Sequence, residues 1–271
     1  MNVIRKPAVA GRFYPGDAAE LARMVQEFVV PTRESQKAIG LVVPHAGYIY
    51  SGHVAGAVYS RIQLHERNIV LCPNHTGLGE PLSIMRRGAW QTPLGDMQID
   101  EELCTALMDA DAHLEDDVSA HRLEHSLEVQ LPFMQHIGGT SVRFVPITVG
   151  TNDLGWLEEL GRAIAKVIGE ADAPVLIIAS SDMNHYESDT ITRVKDRKAI
   201  EQILAMDPQG LYYVVGREQI SMCGYGPTVA MLTASKLLGA TRAEVVKYAT
   251  SGDVSLDFDH VVGYAGMIVT S

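Results

Sequence analysis

Cysteine is scarce: 271 residues hold three, Cys72, Cys104 and Cys223. They are too few and too scattered for a disulfide framework, which fits a reducing compartment. No apolar run approaches the roughly 18 residues that a membrane span needs. The opening "MNVIRKPAVAGRFYPGD" carries no apolar stretch of signal-peptide length. Expected, then, is a soluble, cytoplasmic protein with no membrane partner, and the "NHT" at 74–76 that matches a glycosylation acceptor is read as chance. Basic residues are short as well, with 22 Lys and Arg against 33 Asp and Glu and a formal net charge of −11. The densest basic stretch, "RVKDRK" at 193–198, is interrupted by an aspartate and sits on a helical pattern, so it reads as a solvated face. Nucleic acid is therefore excluded as a partner.

What the chain does have is apolar material, 46% of residues. It recurs in strand-length runs at 38–43, 68–72, 142–150, 174–180, 243–250 and 261–269. Most are apolar at consecutive positions, the pattern of strands covered by helices on both faces. Helical patterns lie between them. The stretch 17–30 opens with Asp17 and has Glu20 three residues on, as in a capping box, with Leu21, Met24, Val25 and Phe28 on one face. Further helices are expected over 51–62, 100–110, 121–136, 153–169, 191–206 and 227–238, the last with Pro227 in its first turn. The stretch 82–100 alternates and contains Pro93 and Gly95, which suggests a hairpin at the sheet edge. Strand and helix alternate without repeats or linkers, so the expectation is α/β, a single three-layer α/β/α domain over 1–271.

Histidine falls at telling places. In open α/β sheets, ligands bind beyond the carboxyl ends of the strands. There "VVPHAG" delivers His45, "CPNHTG" delivers His75, and "SSDMNHYE" delivers Asp182 and His185. If those strands are neighbours, the imidazoles converge within metal-binding range. Cys223, in "SMCGYGP", lies just before a helix, where the positive end of the dipole favours thiolate, the form that binds metal or attacks as a nucleophile. Cys72, inside a strand run, and Cys104, on a helix, read as inert core. A rival pattern, "HRLEH" at 121–125, matches the inverted zincin form, with His121 and His125 one helical turn apart beside Glu124. There is no P-loop and no nucleophile-elbow serine.

The segments "KPAVAGRFYPGD", "VVPHAGYIYSGHVAGAVY", "CPNHTG", "EHSLEVQLPF", "SSDMNHYE" and "MCGYGP", in this order, resemble the motifs of the Memo family from about residue 6 to the C-terminus. The resemblance implies a fold similar to class III extradiol dioxygenases, which are non-haem iron enzymes. Carried over by position, it makes His45, His75 and Cys223 metal ligands, with His185 and Asp182 as the remaining pocket residues and Cys223 in a catalytic part with them. The glutamate of the dioxygenase facial triad has no counterpart at Cys223. The resemblance further implies iron or copper as cofactor, and a functional link to AMMECR-type and radical-SAM proteins.

Two imidazoles and a thiolate would leave open coordination positions, as redox chemistry requires, with zinc a third metal the donors suit. His185 is then a candidate acid/base group oriented by Asp182 or Glu187, while Glu124, His125 and Glu128 are expected to support the pocket or a nearby helix. The leading reading is a metal-dependent oxidoreductase of a small molecule. The alternatives are a peptide- or protein-binding protein that keeps the cleft without the chemistry, and a zinc-dependent hydrolase. A homodimer suits such a fold, though no sequence feature sets it.

Overall fold

The computed structural model describes residues 3–30 and 35–271. At its centre four parallel strands lie in the order Arg143–Val149, Arg67–Pro73, Val175–Ser180, Gly40–Val43. Nearly all their residues are buried, as their uninterrupted apolar sequences anticipate. Beyond Gly40–Val43 the sheet turns antiparallel through Val261–Thr270, which pairs with Arg242–Thr250 and with the short strand His185–Glu187. Beyond Arg143–Val149 come Gly95–Ile99, Ala89–Thr92 and Ile4–Arg5. The expected edge hairpin over 82–100 is the antiparallel pair Ala89–Thr92 and Gly95–Ile99.

Helices cover both faces, so the layered α/β/α architecture expected from the strand and helix alternation is the one observed. On one face Leu154–Glu170 packs on Tyr225–Leu237, which lies directly across the central strands. That approach needs a glycine: a Cβ on Gly40 would come within 2.4 Å of the Met231 sulfur. On the other face Ala18–Phe28, Tyr48–Tyr59 and Leu131–Gly138 pack together. Asp17 caps the first of these, its carboxylate accepting from the Glu20 amide, and Leu21 and Val25 face inward.

One sequence expectation needs correction, and one helix lies outside the sequence expectations. The helix expected over 121–136 does not form. Ser119–Arg122 makes one turn, Leu123 leaves helical geometry, a 3-10 turn follows at Glu128–Gln130, and Leu131–Gly138 starts afresh with Pro132 in its first turn. A helix at Pro208–Arg217 was not anticipated, although Asp207 caps it and Pro208 opens it. No helix among the described residues is long and apolar enough to cross a membrane.

Candidate functional site

The parallel strands deliver their polar residues at a constant offset. Val43 and Ser180 are paired in register, and His45 and Asp182 each lie two residues beyond them. Pro73 ends the neighbouring strand and His75 again lies two residues on. The sheet thus brings its loops to one corner. There one ring nitrogen each of His45, His75 and His125 lies within 4.8 Å of the others. Ring centroids are 5.3 Å apart for His45 and His75, 5.5 Å for His45 and His125, and 4.6 Å for His75 and His125. The third imidazole is His125, which sequence reasoning had assigned to pocket support.

Hydrogen bonds fix which nitrogen two of the rings, His45 and His75, offer. The Ser180 hydroxyl has one proton, and it donates to the Ser126 carbonyl at 2.7 Å. It therefore accepts from Gln130 Nε2 at 2.9 Å and from His45 Nδ1 at 3.0 Å. His45 carries its proton on Nδ1 and leaves Nε2 as the acceptor. Burial, with His125, His75 and His185 nearby, pushes its pKa well below the usual histidine value, so the ring is neutral. His75 Nδ1 faces the Glu124 carboxylate at 2.9 Å, which fixes the same tautomer. His125 Nδ1 is 3.4 Å from that carboxylate, and burial lowers the pKa of this imidazole to about 4.

Glu124 is the hub. Burial alone would raise its carboxyl, but hydrogen bonds from the His75 ring and from Ser126 hold it at about 2. It accepts from the His75 amide at 2.7 Å and from the Ser126 amide and hydroxyl at 2.9 and 2.7 Å. A carboxylate behind an imidazole fixes ring orientation and raises ligand basicity, which is what a bound cation demands of its surroundings.

Cys223 completes one wall. Its sulfur lies 3.2 Å from His45 Nε2 and accepts the Asp182 amide at 3.3 Å. Gly224 makes this approach possible, because a Cβ there would stand 2.4 Å from the Ser180 carbonyl oxygen. The expectation of a depressed thiol pKa fails: burial and then the Asp182 carboxylate push it well above the usual value, outweighing the helix start that follows. Asp182 does not orient His185. Its carboxylate accepts the His45 amide at 2.7 Å, and burial raises its pKa. His185 instead donates Nδ1–H to the Ser221 carbonyl at 2.9 Å, leaving Nε2 free, while Glu187 pairs with Lys195.

The inverted zincin reading also fails. His121 points away from His125, its Nδ1 2.9 Å from the Thr148 hydroxyl and its ring beside Trp90. Glu128 turns toward Arg5 and Tyr14 and away from the imidazoles. Ser180 and Gln130, which set the His45 tautomer, had no sequence signal as site residues.

A Memo-like protein family profile matches residues 5–268, so the chain belongs to the Memo-like family. A MEMO1 family protein of Methanopyrus kandleri is 45% identical over 97% of this chain and 98% of its own length. Another, from Methanocaldococcus jannaschii, is 43% identical over 99% and 100%. Among solved structures, an uncharacterized protein from Escherichia coli K12 superposes with a TM-score of 0.53 at 12% identity, covering 86% of this chain and all of that one, a likeness of fold alone.

Proposed function

We propose that the chain is a metal-dependent oxidoreductase acting on a small molecule, with iron or copper held by His45, His75 and His125 beside the Cys223 sulfur. The observation that carries this reading is the triplet of imidazole nitrogens within 4.8 Å, with the rings of His45 and His75 held in one tautomer by Ser180 and Glu124. Imidazole nitrogens bind such ions at about 2.0–2.1 Å, so small ring shifts suffice to close the set on one ion. Neutral nitrogen donors with a sulfur nearby suit first-row transition metals and disfavour magnesium or calcium. A bound ion would supply one-electron chemistry and an open position for a substrate oxygen.

The chain's own groups have separate tasks. Glu124 and Ser180 keep two Nδ1 protons in place, so that His45 and His75 present lone pairs on Nε2 without rearrangement. His185 Nε2, free while Nδ1 is tied to Ser221, is the group that takes a substrate proton and returns it. His75 is 32% exposed at its side chain, and His45 2%, so substrate enters from the His75 side. Metal analysis of protein purified without a histidine tag tests the reading. One equivalent of iron or copper is expected, and it is lost in His45→Ala and His75→Ala. Unchanged metal content in both variants refutes the site.

A further inference from the structure

The opening motif, residues 5–14, makes no contribution to the donor set, yet its side chains converge on the segment that supplies His125. Arg5 is 4% exposed. Its Nε donates to the His121 carbonyl at 3.0 Å and its Nη2 to the Glu124 carbonyl at 2.6 Å, while Nη1 pairs with the Glu128 carboxylate. Its guanidinium lies 4.1 Å over the Trp90 ring. Glu128 is wholly buried and accepts from the Ala8 and Val9 amides at 2.8 and 3.1 Å and from the Tyr14 hydroxyl at 2.5 Å. One cation and one anion thus grip both ends of the irregular turn, 121–128, on which Glu124, His125 and Ser126 are carried.

That turn needs an external grip. Between the one-turn helix Ser119–Arg122 and the 3-10 turn at Glu128, residues 123–127 belong to no helix or strand. The carbonyls of His125 and Leu127 accept main-chain amides, while those of Glu124 and Ser126 are met by the Arg5 and Ser180 side chains; a planar guanidinium with a fixed fork of donors can satisfy two carbonyls and a carboxylate together. A lysine, as a point charge, cannot.

We infer that Arg5 and Glu128 are positioning residues: the segment 5–14 clamps the 121–128 turn and thereby sets where His125 and Glu124 stand relative to His45 and His75. As far as it concerns metal affinity, the inference rests on the reading of the site given above. The clamp itself is separable from it.

The test titrates Co(II) into the metal-free full-length protein, following its visible absorption, and records the imidazole proton resonances of His75 and His125. Arg5→Met is expected to weaken Co(II) about tenfold, the lower end of what loss of a supporting partner does, and to move the His125 resonances. Arg5→Lys keeps the charge opposite Glu128 and is expected to recover thermal stability without recovering affinity. Tyr14→Phe, which removes one hydrogen bond to Glu128, gives a smaller shift in the same direction and serves if the Arg5 variants do not fold. Leu160→Ala, in the core of a helix on the other face, is the control for lost stability alone. Arg5 or Tyr14 variants that bind Co(II) as the control does, with His125 resonances in place, overturn the clamp. Should the wild-type protein bind no Co(II), the metal reading falls, and the His125 resonances still decide the clamp.

Discussion

His121 and His125 stand four residues apart in one segment, and their surroundings have little in common. His121 is wholly buried, its ring against Trp90 and its Nδ1 at the Thr148 hydroxyl on the central sheet. His125 faces two other imidazoles and the Glu124 carboxylate, with its side chain 22% exposed. On a continuous helix, residues four apart would share a face. The helix ends at Leu123, however, and the change of backbone direction sends the two rings to different places. Identical residue types thus divide into a packing group and a candidate ligand through a single break in the helix.

The sharpest way to break this comparison is to remove each ring in turn. His125→Ala is expected to lower Co(II) or zinc affinity at least about 100-fold, beyond the usual loss of a supporting residue. His121→Ala should leave affinity within a factor of about three while costing roughly 2 kcal/mol of stability for the buried space and lost hydrogen bond. Calorimetric metal titration together with urea unfolding reads both, and equal affinity losses would show the division to be false.

Glu124→Gln comes next. The amide can accept some of the hydrogen bonds that reach Glu124 but turns its NH2 toward one of the amide or hydroxyl donors. An affinity loss of about 10- to 100-fold is expected. It should appear with a displaced His75 resonance, whereas unchanged affinity would demote Glu124 to a packing residue.

A separate effect lies in acid. Burial, followed by the charge of Arg5, lowers the pKa of His121 to about 3 in the folded protein, against about 6.5 in an unfolded chain. Between those values the unfolded chain binds the extra proton, so stability falls as pH drops below 6.5 and the loss is complete only near pH 3. The slope is about 1.4 kcal/mol per pH unit for one proton. His121→Gln should therefore flatten the stability profile between pH 4 and 6 by up to that amount in urea titrations, and an unaltered slope would show that this ring is not held neutral by the fold.

Much of the arrangement was legible in the sequence, and the part that was not has specific causes. The buried strands announced themselves as consecutive apolar runs, and the residues just past them, His45, His75 and Asp182, did fall at one corner. The role of His125 is obscured because 121–136 carries leucines at helical spacing, for which one long helix is the economical reading. Pro132 was the available contrary signal, since proline belongs in a first turn and here opens a second helix. Asp207 followed by Pro208 marked another helix start in the same way. The partner of His185 could not be foreseen: its Nδ1 bonds to a main-chain carbonyl, and any residue at position 221 has one. The same holds for Arg5, two of whose three hydrogen-bond partners are backbone oxygens. Side-chain identity cannot encode a bond to a group that every residue carries.

The absent methyl at Gly224 has a consequence for how this corner can vary. The 3.2 Å gap between the Cys223 sulfur and His45 is set by how near a helix start can approach a strand end, and that limit is met by main-chain atoms of Ser180. Exchanging the thiol for another side chain alters the chemistry at that wall but leaves the main-chain approach alone. Alanine at 224 would do the reverse, backing the helix start away from the sheet, so the donor atom and the separation of the main chains behind it are set at adjacent positions.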